Sequence, residues 1–193
     1  FTTKQTTIYS NESEISKIKE LKIFISLDNL FSLKDIKIKD IIFENANFNL
    51  KKKNYDLFLQ LLDNDYKDGN LTIKDSNIFF RYVEDEVLFI SKILKTKYYY
   101  DHKEYKNLFY SENEVFNIPF SIESFLSDDK NKIFSQINLN LIKLKIDNEL
   151  SFKNEKKEGK SLLIFNKLKQ IAEYNIEKNS FNFHIFDKKE QPN

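Results

Sequence analysis

The 193-residue chain contains no cysteine, methionine or tryptophan, and only two glycines and two prolines. Without cysteine there is no disulfide framework, no zinc–thiolate centre and no thiol nucleophile. Two glycines, Gly69 and Gly159, cannot build a glycine-rich cradle for phosphates, and the Gly-x-Ser-x-Gly turn of many serine hydrolases is absent. Charge of one sign is missing as well: 31 basic and 30 acidic residues leave a formal charge of +1, so nothing supplies the basic excess that a nucleic-acid backbone demands. No apolar run approaches the roughly 18 residues of a membrane span; the runs at 57–59 and 162–165 are far shorter. No signal peptide is visible. The chain opens on Phe1 rather than methionine and is read as a segment of a longer protein.

What is present is a folded, aromatic-rich chain. Hydrophobic residues make up 40% and aromatics 15%, with 19 Phe and 10 Tyr, too much for a disordered segment. The length suits one domain, read as a single β-rich segment over residues 1–193. Lys, Asn, Ile and Phe dominate, and Arg81 is the sole arginine, a bias that AT-rich codon usage produces. Placement is therefore more informative than abundance.

Period-2 alternation is the main pattern. It links Leu21, Ile23, Ile25 and Leu27, then Ile36 and Ile38, then Ala46, Phe48 and Leu50. It returns at Phe116, Ile118, Phe120 and Ile122, at Ile137, Leu139 and Leu141, at Ala172, Tyr174 and Ile176, and at Phe181, Phe183 and Ile185. Such alternation predicts half-buried antiparallel strands. After Ile142 the phase slips to Leu144 and Ile146, which reads as a β-bulge within one long strand. Helix is predicted only at Tyr55, Phe58, Leu59 and Leu62 with Asn54 as N-cap; residues 86–94 read as either a second short helix or a strand. Turns are expected at Asp68-Gly69-Asn70, Glu112-Asn113, Glu158-Gly159 and Lys178-Asn179. Pro119 marks its stretch as an edge or a bulge.

An internal repeat is visible within residues 36–94 at an offset of about 30 residues. Glu44-Asn45-Ala46-Asn47-Phe48-Asn49-Leu50-Lys51 aligns with Lys74-Asp75-Ser76-Asn77-Ile78-Phe79-Phe80-Arg81. Each copy precedes charged residues and then an apolar stretch, so the pattern suggests a sheet extended by repetition, with coincidence in a biased composition as the competing explanation.

Chemistry-bearing clusters are sparse. The two histidines, His102 and His184, fall in a charged turn and on the polar side of an alternating strand, and are read as surface residues; no metal site is expected. The stretch Asp63-Asn64-Asp65-Tyr66-Lys67-Asp68-Gly69 fails the EF-hand pattern, because Lys67 and Asp68 fall where an oxygen ligand and the glycine belong. Tyr98-Tyr99-Tyr100 amid lysines evokes a single-strand-binding surface, but the balanced charge opposes it and cross-strand aromatic pairing explains the tyrosines equally well. The chain is read as a non-enzyme without cofactors.

The order of these motifs resembles the AsmA family and its larger TamB-like relatives. The resemblance is carried by Leu21-Lys22-Ile23-Phe24-Ile25-Ser26-Leu27, then Asn29-Leu30-Phe31-Ser32-Leu33, then Ile36-Lys37-Ile38-Lys39-Asp40 and Glu44-Asn45-Ala46-Asn47-Phe48-Asn49-Leu50. Leu71-Thr72-Ile73-Lys74-Asp75-Ser76-Asn77-Ile78 repeats it, and Asn113-Glu114-Val115-Phe116-Asn117-Ile118-Pro119-Phe120 resembles the family's hairpins. The resemblance implies a mainly β fold, a curved and twisted antiparallel sheet forming a hydrophobic β-groove with one or two short helices. It implies a periplasmic protein anchored in the inner membrane by a helix absent from this sequence. Its partners would be phospholipid acyl chains and neighbouring β-repeats or envelope proteins, in phospholipid transfer or outer-membrane assembly.

The residues expected to line that groove are Ile36, Ile38, Phe48, Leu50, Ile78, Phe80, Phe116, Ile118, Phe120, Ile122, Leu139, Leu141, Leu144, Ile146, Phe181, Phe183 and Ile185. An apolar sheet face must be covered by something: a second layer, closure on itself, or a ligand. The alternative reading is an interaction scaffold in which these residues form a closed, dry core.

Overall fold

The structure is a computed structural model that describes residues 1–10, 13–26, 37–51, 60–82, 86–152, 157–177 and 180–187. It is mainly β. Twelve strands lie in one mixed sheet in strictly sequential order: β1 Thr2–Ser10, β2 Ser13–Ile25, β3 Ile38–Leu50, β4 Asn70–Arg81, β5 Val87–Asp101, β6 Lys106–Val115, β7 Ile118–Leu126, β8 Lys132–Leu139, β9 Leu144–Ser151, β10 Lys157–Phe165, β11 Leu168–Ile176 and β12 Phe181–Asp187. The sheet is open, with β1 and β12 at its two ends. Residues 60–63 are helical, and a 3-10 turn spans Asn140–Ile142. The predicted helical positions Asn54, Tyr55, Phe58 and Leu59 lie outside the described residues, as do Ile36, Lys178 and Asn179. The chain divides into two compact units, Phe1–Asn117 and Ile118–Asn193.

In the first unit every described strand pairing is antiparallel except one. β3 and β4 run parallel, with Glu44 beside Lys74, Phe48 beside Ile78 and Leu50 beside Phe80. Residues 30 apart in sequence are thus neighbours across a ladder. Their side chains also pair: Asn70 Nδ2 donates to Asp40 Oδ1 at 2.8 Å and Asn77 Nδ2 to Asn47 Oδ1 at 3.1 Å. A parallel step cannot be closed by a tight turn and needs a crossover of a dozen or more residues. The chain between Leu50 and Asn70 is long enough for it, and Lys51 and residues 60–69 are its described parts. Gly69 re-enters the sheet under the Lys39 carbonyl, which a Cβ at this position would approach to 2.4 Å, so this close passage needs glycine.

A crease crosses five strands of this unit. The registers leave Gln5 facing Lys19, Lys19 facing Asn45, Asn45 beside Asp75, and Asp75 facing Leu94. Gln5, Asn45 and Asp75 have φ of 58°, 53° and 47°, and Leu94 is an extra residue opposite β6. Asn and Asp tolerate the left-handed region better than most residues. The crease reverses the alternation. On β3 the inward residues are Ile41 and Phe43 before it, and Ala46 and Phe48 after it; on β4 they are Leu71 and Ile73, then Ser76 and Ile78. Ile38 and Phe48 are ten residues apart and in phase by spacing alone, yet Phe48 is buried and Ile38 is 49% exposed. The Ser76 hydroxyl bridges the gap, accepting from the Ala46 amide at 2.9 Å and donating to the Lys74 carbonyl at 2.6 Å.

The second unit is a regular meander of hairpins without register shifts. Several sequence expectations are corrected. The phase slip after Ile142 is a hairpin rather than a bulge: Leu139 pairs with Leu144 across the 3-10 turn, and Lys143 closes it at φ 54°. Glu112-Asn113 lies inside β6, and Glu158-Gly159 inside β10; the turn after β6 is Phe116-Asn117, at φ 50° and 62°. Residues 86–94 belong to a strand, β5. Pro119 is the second residue of β7, an interior strand, where it precedes the ladder to β8 that starts at Ser121 and removes no rung of it.

Candidate functional site: an uncovered apolar sheet face

The registers of the second unit stack side chains into rows across the sheet. Directly paired residues share a face, so each row can be read off. One row runs Ile122, Ile137, Ile146, Leu163 and then turns polar at Gln170 and Asp187, where Gln170 Nε2 donates to Asp187 Oδ1 at 3.1 Å; a second runs Leu126, Ile133, Leu150, Gly159, Tyr174, Phe183. A third, at the hairpin ends, is Leu139, Leu144, Phe165, Leu168. Between the first two lies a row of small or polar residues, Ser124, Ser135, Asn148, Ser161 and Ala172, ending in Ile185. Its polar atoms are paired with one another: Ser124 Oγ donates to Ser135 Oγ at 2.8 Å, and Asn148 Oδ1 accepts from Ser161 at 2.7 Å and from Tyr174 at 2.8 Å. The face is apolar because its hydroxyls are already engaged.

Tyr174 shows how the face is built. Its ring lies over Gly159, where a Cβ would come within 2.1 Å of Cζ. The glycine thus makes room for an aromatic cover on the neighbouring strand. Partial burial under its neighbours raises the Tyr174 pKa above the ordinary phenol value.

No second layer covers this face among the described residues. Among the described elements, the strands of the unit make their main contacts with sheet neighbours and with the 3-10 turn. Among the described residues of the unit, only Ser124 and Ile133 are buried. Phe183 is 64% exposed and Ile185 48%. Each large side chain left wet forfeits about 1.5–3 kcal/mol, so this face is costly unless something occupies it. The opposite face is mixed in character: Phe125 and Phe134 stack at 5.2 Å, Leu162 and Ile171 sit beside them, and Lys132–Glu149, Lys160–Glu173 and Gln136–Asp147 pair across strands. A shallow hollow of about 490 Å³ lies there over Phe125, Phe134, Leu162 and Ile171.

The described residues predicted to line a groove fall into four groups, with Ile36 outside the described residues. Ile118, Phe120, Ile122, Leu139, Leu144, Ile146, Phe181, Phe183 and Ile185 all share the uncovered face of the second unit, the first two by their alternation with Ile122 along β7. Phe48 and Leu50 are buried in the first unit, with Ile78 and Phe80 half-buried beside them; there they belong to a packed interior in which Phe80 stacks on Phe89 at 4.2 Å. Ile38 opens β3 and is exposed. Phe116 and Leu141 are displaced from the strands they were assigned to: Phe116 occupies a left-handed turn and is 77% exposed, and Leu141 sits in the 3-10 turn. Sequence reasoning missed Leu126, Ile133, Ile137, Leu150, Leu163 and Tyr174 as members of the face. Ile137 and Tyr174 carried a visible alternation, whereas Leu163 is hidden in the continuous run Leu162-Leu163-Ile164-Phe165, where both faces are apolar.

No group of three or more metal-ligating side chains is assembled among the described residues, and no helix among them is long and apolar enough to cross a membrane. His102 lies in an exposed turn whose backbone is held by Asp101, which accepts from the Lys103 and Glu104 amides at 2.7 and 3.3 Å; those bonds lower the Asp101 pKa. His184 is exposed on β12. Neither a protein-family model, nor a curated protein, nor a solved structure matches this chain.

Proposed function

We propose that this chain is a segment of an AsmA-like periplasmic protein, held at the inner membrane through flanking sequence, whose apolar sheet face shields acyl chains during phospholipid transfer to the outer membrane or during outer-membrane assembly. The observation that carries this reading is the uncovered apolar face of residues 118–187. Exposing an acyl chain to water costs about 0.8 kcal/mol per methylene; a face of Ile, Leu and Phe removes most of that cost. The registers keep the Ile122 row apolar from β7 to β10, and the Leu126 row carries no polar side chain but the Tyr174 hydroxyl from β7 to β12, so the free energy along those stretches varies little and a chain can slide. No side chain performs bond chemistry; the protein acts as a solvent.

The test is lipid mass spectrometry of the purified protein. Ile146→Asp places a charge at the centre of the face, and Glu173→Ala alters only the opposite face. The reading expects phospholipid in the unmodified protein and in Glu173→Ala, and at least a tenfold loss in Ile146→Asp with the sheet still folded by circular dichroism. Absence of lipid from the unmodified protein, or retention by the aspartate variant, contradicts it. The dry interior of the first unit favours a second reading, a β-sheet interaction scaffold that pairs through its end strands; that reading expects partner capture without lipid.

A further inference from the structure

A polar row crosses the open face of the second unit between two apolar rows. The bonds within it engage its oxygens: Ser124 Oγ donates to Ser135 Oγ, and Asn148 Oδ1 accepts from Ser161 and from Tyr174. The Asn148 amide nitrogen takes no part in them and has no partner among the described residues. It is also within reach of a visiting molecule. Ser16 Oγ, in the first unit, is the sole described side-chain polar atom that is both buried and without a partner, so the Asn148 nitrogen lies at the surface. Ser135 stands directly opposite Asn148 in the β8–β9 register. Its hydroxyl accepts from Ser124 and keeps its own proton to give.

Two neighbouring donors are thus set in hydrocarbon. Ile133 and Ile137 flank them along β8, and Ile146 and Leu150 along β9, each two residues away on the same face. No charged side chain belongs to either apolar row between β7 and β10. An ionised carboxylate or phosphate placed here would leave water with no cation to receive it. An alkane would cover the donors and leave them unpaired, which is also unfavourable. The group that suits the site is an uncharged oxygen acceptor carried on hydrocarbon.

We propose that Asn148 and Ser135 bind the ester carbonyl of an acylated lipid, with its acyl chain lying along the adjoining apolar rows. The inference rests on the reading of this face as an acyl-chain surface and deepens it: the rows take hydrocarbon whatever its linkage, and the donor pair selects the ester. An amide N–H and a hydroxyl can both donate to one carbonyl oxygen, which has two lone pairs. Ser161 and Tyr174 are positioning residues; they hold the oxygen end of the amide and leave the nitrogen end to donate.

The experiment offers the whole chain vesicles of two lipids in equimolar amounts. One is dioleoyl phosphatidylcholine, whose chains are esters, and the other is its di-O-octadecenyl analogue, whose chains are ethers. Mass spectrometry then quantifies the lipid that the re-isolated protein retains. The unmodified protein is expected to favour the ester lipid roughly fivefold, the scale of one or two hydrogen bonds. Asn148→Leu keeps the bulk and loses the donor, and should bring the ratio close to one while total lipid is kept. Ser135→Ala leaves the bonds to Asn148 Oδ1 in place and should lower the preference about twofold; it decides the matter if circular dichroism shows that the leucine variant does not fold. Equal retention of both lipids by the unmodified protein, or a preference that neither substitution changes, overturns the donor site and leaves the acyl-chain face standing. No retention of either lipid overturns the face, and the donor site with it.

Discussion

The two units use the same strand grammar and reach opposite outcomes. In residues 1–117, Ile18, Ala46, Ile73 and Ile93 form a buried cluster, and Tyr66 from the crossover stacks on Tyr98 at 5.7 Å over Leu71. In residues 118–193, side chains of the same kind remain half-exposed on a single layer. The difference follows from connectivity. The parallel β3–β4 step requires a long crossover, and its described residues Leu61, Leu62 and Tyr66 then serve as the cover. A meander joined by short hairpins supplies nothing to lie across its face. An apolar stripe is a core where the topology brings a lid and stays open where it does not.

The largest expected effect comes from truncating equivalent apolar residues on either side of this divide. Ile93 is 2% exposed, so Ile93→Ala removes packed atoms and leaves a cavity, at about 3 kcal/mol. Leu163 is only half-buried on the open face, so Leu163→Ala is expected to cost about 1 kcal/mol or less. Urea unfolding of the two variants measures both; equal costs would mean that the open face is packed against something.

An intermediate effect is expected in alkali. Burial raises Tyr66 to about 12 and Tyr98 further, against an ordinary value near 10. Below pH 10 both phenols are protonated whether the chain is folded or not, and the stability they support is fully present. As pH rises from about 10 through 12, the unfolded chain sheds these protons first, so the folded state loses stability. Thermal unfolding of the unmodified protein should therefore weaken over this window, and Tyr98→Phe should flatten the decline. Tyr174 in the second unit, raised but less buried, should contribute less; a larger effect of Tyr174→Phe would invert the comparison.

The smallest effect concerns the crease, which the second unit lacks. Asn45 and Asp75 are exposed and hold positive φ. Replacing either with glycine relieves that strain at some entropic cost to folding, with an expected gain of about 0.5 kcal/mol or less. Asn45→Val should destabilise, since a β-branched residue fits that conformation poorly.

Much of this architecture is legible in the residues. Alternation marks β2, β3, β11 and β12, and the 30-residue echo from Glu44 to Lys74 coincides with the parallel ladder. Parallel pairing itself was not legible, because a repeat gives the offset and not the direction. β1 was missed because its Thr-Thr-Lys-Gln-Thr-Thr sequence carries almost no apolar signal. The hairpin at 140–143 was mistaken for a bulge because Leu141 and Ile142 are apolar residues in a turn, held there by backbone geometry rather than burial. The open face was half legible: periodicity groups Ile118, Phe120 and Ile122, but only registers reveal that Ile137, Ile146 and Leu163 continue the Ile122 row.

The most direct test places a photo-crosslinking side chain at two adjacent positions of β10. Leu163 points to the uncovered face, beside Ile146, and Leu162 to the opposite face, beside Asp147. With phospholipid vesicles present, the account predicts acyl-chain adducts from position 163 and few or none from position 162. Equal labelling at the two positions, or labelling confined to position 162, would contradict it.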